Sequence, residues 1–167
     1  IKRVMNMKNF GFGCMRLPMI DKEVDHKQFC EMIDLFMENG FTYYDTARVY
    51  IQGKSELALK ECLVKRYPRE SFIIADKLSG SCFEKQEDII PFFNSQLEAL
   101  GVEYIDYYLM HCQMQRNYDK FMNTKAYEIA AQLKKEGKIK HLGFSFHDNA
   151  EFLEKILIDH PEVEFVQ

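Results

Sequence analysis

Residues suited to chemistry recur in this chain at an almost constant interval. Gly13, Asp45, Lys77, His111 and Ser145 stand 32, 32, 34 and 34 residues apart, each at or just past the end of an apolar run of strand length. Between consecutive positions lies one segment with helical spacing. A repeated unit of one strand and one helix buries its apolar surfaces as a parallel sheet covered by helices. An eightfold barrel and an open doubly wound sheet both satisfy that pattern. Two features favour the barrel. Polar residues cluster at the C-terminal ends of successive strands, where barrel enzymes keep their chemistry. No G-x-G-x-x-G follows the first strand, as a dinucleotide-binding open sheet often shows.

The elements follow in order. Asn9 to Met15 reads as a short strand with glycines at points of close approach, and Pro18 breaks regularity. Phe29, Met32, Ile33, Phe36 and Met37 have the spacing of a one-sided helix, with Asp25 as N-cap and Asn39-Gly40 as its stop. Phe41 to Tyr44 is an aromatic strand. Ser55 is read as the N-cap of a second helix with Leu59, Cys62 and Leu63 inward, closed by Pro68. Ser71 to Ala75 is an apolar strand; Ile90, Phe93, Leu97 and Leu100 form a third helix ended by Gly101. Tyr104 to Met110 is a strand, and Ala126, Ile129, Ala130 and Leu133 a helix that Gly137 stops. Ile139 to Phe144 is a strand, Phe152, Leu153, Ile156 and Leu157 belong to a helix closed by Pro161, and Val163 to Gln167 opens a sixth strand.

Six strands and five complete helices amount to an incomplete (β/α)8 TIM-type barrel, since a whole one needs about 250 residues. Residues 1–167 are expected to form a single domain, the N-terminal part of such a barrel. The chain opens on Ile1 rather than Met and stops at Gln167 inside a predicted strand, and both are read as marks of a piece of something longer. Two open sheet edges would be adhesive, so self-association is expected.

Composition narrows the function classes. With 47% hydrophobic and 29% charged residues, a real core is expected. A net charge of -4 gives no push toward nucleic acid or an anionic membrane. No apolar run approaches the roughly 20 residues that span a bilayer, and no secretory signal is read. The five cysteines, Cys14, Cys30, Cys62, Cys82 and Cys112, are odd in number and widely spaced, with no C-x-x-C. Neither a disulfide framework nor a zinc site is therefore expected. Each thiol reads as a small buried hydrophobe, and the setting as reducing and cytoplasmic.

Asp45 and Tyr50 lie five residues apart where a strand gives way to a loop, and Lys77 and His111 end the next two strands. A phenol with a pKa near 10 is a poor acid at neutral pH, and an adjacent ammonium would lower that value. Lys77 can be that ammonium, Asp45 can hold it, and His111 can hydrogen-bond a substrate carbonyl. Such a set could protonate an oxygen while a hydride arrives from a nicotinamide. Singly, each residue has a plainer reading: a turn aspartate, a solvated lysine, a satisfied core histidine, one tyrosine of nine. Their joint placement at corresponding strand ends singles them out.

The segments GFGCMRLP (11–18), NGFTYYDTA (39–47), Tyr50, GKSE (53–56), IADK (74–77), DYYLMH (106–111) and GKIKHLGFS (137–145) occur in an order and spacing that resemble the aldo-keto reductase family over essentially the whole chain. The resemblance implies a (β/α)8 barrel that reduces aldehydes or ketones with a nicotinamide cofactor, usually NADP, with NAD as the alternative. It implies a catalytic tetrad falling on Asp45, Tyr50, Lys77 and His111. It also implies cofactor contacts at Asp45, at Ser145 and Gln167 for the carboxamide, and at Gly13 and Met15 on the floor near the nicotinamide. Phe146 stands where an asparagine is common. The run from Gly143 to Asp148 looks like a bacterial branch that can carry a ferredoxin-like iron-sulfur tail, though no cysteine cluster supports one here. Asp76 replaces a common threonine, and strand alternation should point it away from Lys77. Segments that clamp the adenosine phosphate in the family would lie beyond Gln167, and without them a cofactor would lose most of its binding energy.

Two other classes compete. A non-catalytic binding or regulatory module could keep the scaffold. A metal-dependent hydrolase would use Asp45, His111 and His147 as ligands, although its usual H-x-H spacing is missing. Lys134 to Lys138 reads as a solvated helix end beside the macrodipole, and the methionines at 5, 7, 15 and 19 as packing residues or the lining of an adaptable pocket.

Overall fold

The structure, a computed structural model, describes residues 8–167. Met5 and Met7, candidate pocket residues above, lie outside the described residues. Six strands form one parallel sheet: β1 (Gly11–Gly13), β4 (Tyr43–Asp45), β5 (Ile73–Leu78), β6 (Ile105–Gln113), β7 (Ile139–Phe146) and β8 (Phe165–Val166), paired in chain order. A small antiparallel hairpin, β2 (Met19–Ile20) and β3 (Glu23–Val24), fills the stretch after Pro18.

The sheet curls. Gln167, just past β8, donates through Nε2 to Asp45 Oδ2 at the end of β4, at 3.0 Å. In a flat sheet four strand spacings would keep those positions about 19 Å apart. The six strands are thus a half-barrel whose concave face carries Tyr43, Tyr107 and Phe165 in edge-on contacts.

Helices cover the convex face: α1 (His26–Glu38), α2 (Lys54–Leu59), α3 (Ile89–Leu100), α4 (Gln115–Asn123), α5 (Ala126–Lys135) and α6 (Ala150–Asp159). Asp25 caps α1 by accepting from the Gln28 N–H at 3.0 Å, as its sequence position suggests. Gly101 ends α3 in the left-handed region at φ +72°, where an L side chain would be strained. The core lies between these helices and β4 to β7, with Phe29, Ile33, Tyr44, Leu63, Phe93, Tyr108 and Phe144 fully enclosed.

Several details depart from the sequence reading. Ser55 does not cap α2; Gly53 does, and Ser55 sits inside the helix, donating to the Cys14 carbonyl at 2.9 Å. A π-turn over residues 60–64 continues α2 and keeps Cys62 and Leu63 inward. The buried face of α3 is Ile89, Phe93, Gln96 and Leu100, with Ile90 exposed. A sixth helix, α4, precedes α5; its polar sequence hides the few apolar positions, Tyr118 and Phe121, that hold it.

The cysteine reading needs correction. Cys30 on α1 and Cys62 beyond α2 are joined as a disulfide, with Cα atoms 4.8 Å apart, while Cys14, Cys82 and Cys112 are free. Neighbouring outer helices bring the two together, and wide sequence spacing says nothing against that. A compartment inferred from unpaired thiols loses its basis. No helix among the described residues is long and apolar enough to cross a membrane.

Gly143 on β7 is required by close approach: a Cβ there would lie 2.5 Å from the Phe165 carbonyl and ring. Gly143→Ala should therefore push β8 off β7 and cost about 1–3 kcal/mol. Denaturant midpoints would measure the loss, with faster hydrogen exchange at Gln167, whose N–H bonds Phe144. An unchanged midpoint would contradict the close packing.

Candidate active site

Chain geometry places four side chains at one end of the half-barrel. β4 stops at Asp45, and β5 runs three residues further past its paired position, because Asp45 stands opposite Ala75. Lys77 therefore reaches back beneath the end of β4. Its Nζ donates to Asp45 Oδ1 and to the Thr46 carbonyl, both at 2.7 Å. The lysine side chain is 1% exposed and that of Asp45 14%. Burying an ammonium costs several kcal/mol unless paired and hydrogen-bonded, and these contacts meet that condition.

Tyr50 follows on a tight loop. Ile51, Gln52 and Gly53 take positive φ values of 48°, 56° and 86°. Such a run is costly for a β-branched residue like Ile51, so surrounding packing holds it there. The loop turns the Tyr50 ring over Lys77, whose Nζ lies 4.8 Å from the ring centroid. The His111 ring meets the Tyr50 ring edge-on at 5.8 Å between centroids. The four sequence-predicted groups thus converge.

Their electrostatics differ from the simplest expectation. Burial raises the Tyr50 phenol above its ordinary value; Lys77 pulls it down, Asp45 pushes it up, and burial dominates. The phenol stays protonated at neutral pH. Burial pushes the His111 imidazole down to about 4, with Lys77 adding to the shift and Asp45 opposing it. His111 is therefore neutral at pH 7. The Ser79 hydroxyl lies 2.6 Å from its Nδ1, leaving Nε2 as the nitrogen without that bond.

The other predicted positions surround this cluster. Gly13, Asp45, Tyr43, Tyr107 and Gln167 line a cavity of about 500 Å³ on the concave face. Nothing stands within 4 Å of where a Gly13 Cβ would be. Met15 is 56% exposed and outside that lining. Ser145 is buried on β7 and accepts the Cys112 N–H at 2.7 Å, which leaves its own proton to donate. Cys112 has φ 57° at a register shift in β6, beside His111. Among the described residues no three His, Cys, Asp or Glu side chains gather as a metal site, so Asp45, His111 and His147 form none.

Sequence reasoning missed Ser79. It lies two residues after Lys77, and the strand period of two would have placed it on the same face. The network behind Lys77, made by Glu56, Asp76 and Gln96, was also missed; only the direction of Asp76 was foreseen.

The depressed His111 value has a stability consequence. The unfolded imidazole titrates near 6.5 and the folded one at about 4. The group's contribution is intact above 6.5 and is lost as pH falls through 4. NMR titration should show His111 neutral at pH 5.5, with the unfolding midpoint of the wild type falling more steeply below pH 6 than that of His111→Gln. A protonated His111 at pH 6 would contradict the burial.

Comparison with known proteins bears on the family and the fold. The sequence profile described as the aldo/keto reductase family matches residues 9–167. A probable aldo-keto reductase of Glycine max is 32% identical over 151 residues, covering 83% of this chain and 41% of that protein. An NADH-specific methylglyoxal reductase of Escherichia coli is 30% identical over 164 residues, covering 83% and 48%. The holo aldo-keto reductase of Bacillus halodurans superposes with a TM-score of 0.73 at 27% identity, covering 95% of this chain and 52% of that one. A Klebsiella pneumoniae aldo-keto reductase solved with NADPH superposes at 0.75 and 21% identity, covering 94% and 52%. This chain spans about half the length of these relatives. By its sequence profile and its half-barrel, the chain belongs to the aldo/keto reductase family.

Proposed function

We propose that the protein reduces aldehyde or ketone carbonyls by hydride transfer from NADPH, with NADH as the alternative donor, and that Tyr50 gives the proton. One observation carries this reading: Asp45, Lys77, Tyr50 and His111 meet at one end of the half-barrel. Relatives solved with NADPH or named for NADH support the choice of cofactor.

The residues present fit a nicotinamide. Gly13 leaves open space on the cavity wall. The Ser145 hydroxyl has a proton free to donate to a carboxamide oxygen. The Gln167 amide faces the same cavity, although its nitrogen is shared with Asp45. Phe146, in place of a second amide, offers apolar contact only. When bound, the nicotinamide supplies the hydride to the carbonyl carbon.

The chain's own groups handle the other half of the reaction. As charge develops on the carbonyl oxygen, the Tyr50 O–H is the proton source, being neutral at physiological pH. Lys77 stabilises the phenolate left behind, and Asp45 fixes Lys77 against drifting. Neutral His111 can donate a hydrogen bond to the same oxygen without adding charge. Asp45 and Lys77 offset each other, so an uncharged carbonyl compound suits the site.

Tyr50→Phe, assayed in the protein at its natural length with NADPH and small aldehydes, should lower kcat by about 10²–10⁴ while leaving cofactor affinity unchanged. Turnover at the wild-type level would remove Tyr50 from the role. The edges of β1 and β8, unpaired among the described residues, support a second proposal, that the 167-residue chain associates with itself. Its sedimentation coefficient should rise with concentration; a constant monomer value would refute this.

A further inference from the structure

Behind Lys77, on the helix side of β5, lies a polar network that the proposed reaction does not use. Asp76 and Glu56 are both fully buried, one on β5 and one on α2. Gln96 ties them into one network: its Nε2 donates to Glu56 Oε1 and to the carbonyl of Lys77, whose N–H bonds Asp76 Oδ1. Ionised carboxylates are acceptors only and repel each other when enclosed together, which favours a proton on one of them. The surrounding bonds identify which. Glu56 Oε2 accepts from Arg48 Nε at 2.5 Å and Oε1 accepts from Gln96 Nε2 at 3.3 Å. Asp76 Oδ1 accepts the Lys77 N–H at 2.8 Å, and Oδ2 has no donor among the described residues.

The same groups close a gap in the sheet. Thr46 N–H bonds the Ala75 carbonyl, and residues two apart on a strand direct their backbone groups to the same side. Lys77 therefore turns its N–H and C=O toward β4, which has already ended. Asp76 Oδ1 takes the N–H, and Gln96 Nε2 donates to the C=O at 3.1 Å. Gln96 is oriented by the Tyr108 hydroxyl, which donates to its Oε1 at 2.6 Å. Every buried atom of the network is then satisfied if Asp76 carries a hydrogen on Oδ2.

We propose that Asp76 and Glu56 hold one proton between them, carried on Asp76 Oδ2 and donated to Glu56, and that this pair with Gln96 is the positioning device for Lys77. The second half rests on Lys77 being catalytic; the first does not. Charge balances across the network. Arg48 offsets the single negative charge, Tyr108 and Cys82 face it as neutral groups because burial raises both, and Lys77 is matched on its other side by Asp45. Burial first, then Glu56, pushes the Asp76 carboxyl well above the usual carboxylate range.

Infrared spectroscopy of the 167-residue chain tests the proton directly. A protonated carboxyl C=O band should persist at neutral pH, move when aspartate is carbon-13 labelled, stay when glutamate is, and vanish in Asp76→Asn. Absence of the band, or a band that moves with the glutamate label, overturns the assignment. Asp76→Asn replaces the O–H donor with an N–H donor, so it should fold. Since the folded carboxyl titrates above its unfolded value, its stabilisation is complete below about pH 4 and declines as pH rises. The wild-type midpoint should thus fall relative to Asp76→Asn from pH 4 to 8; parallel profiles refute the shared proton. Glu56→Gln would set its amide against the Gln96 or Arg48 donor, so it should lose stability where Asp76→Asn does not. For positioning, the Lys77 ammonium nitrogen resonance should hold its place in Asp76→Asn and shift in Glu56→Gln. An unshifted signal in both overturns the positioning role. None of these readouts needs turnover, so failure of the reductase reading would leave them standing.

Discussion

A buried ammonium dictates much of this architecture. Lys77 lies under the end of β4 with almost no access to water, and a charge there must be met by fixed partners or lose its proton. Asp45 meets it because β4 stops where it does, and the Thr46 carbonyl turns inward because no strand pairing claims it. Thr46 is itself tied down by its N–H to Ala75 and its hydroxyl to Ser55 on α2. The reverse side of β5 supplies the partners that the backbone of Lys77 lacks. The site is therefore continuous with the core, and a change that breaks the bonds on the reverse face of β5 should be felt at the amine.

That ion pair also sets the electrical character of the site. Lys77 alone would draw Tyr50 toward ionisation, but Asp45 cancels much of its field, and burial then keeps the phenol protonated. The same burial keeps His111 neutral. At neutral pH the cluster holds one compensated ion pair and two uncharged hydrogen-bonding groups. For the proposed reduction, a phenol that stays neutral until an oxygen demands its proton would suit a reaction in which charge appears only transiently.

Much of the fold was legible because barrel strands and helices differ in period, and the differences survive in Phe29 to Met37 and in the apolar run from Ile73. The element α4 was not, because its polar residues dominate the pattern and two aromatics hold it through tertiary packing. The cap of α2 was misassigned because Ser55 has the right side chain for a cap, yet its hydroxyl is claimed by a carbonyl on the far side of the β4 loop. The four convergent residues were legible by position, but the sign of the net effect on Tyr50 was not. Position reports which charges are near, and only enclosure reports how strongly water's absence opposes them.

The interval in the sequence also bears on which side chains meet. In a barrel of repeated units, equivalent points on neighbouring strands or helices lie one period apart, so side-chain partnerships should recur at that separation. Lys77 with Asp45 and Ser79 with His111 are each separated by 32 residues, and Cys112 with Ser145 by 33. Cys30 and Cys62 are separated by 32 as well, on consecutive outer helices. By that period these two cysteines are the pair best placed to meet, which an odd count and wide spacing conceal. The network at Asp76 breaks the rule, because Glu56 and Gln96 come from helices that pack on β5 from either side in sequence. Contacts between strands follow the repeat, whereas contacts between a strand and its covering helices depend on helix rotation. That is why the convergence of Asp45, Lys77 and His111 could be anticipated from spacing and the carboxyl groups behind them could not.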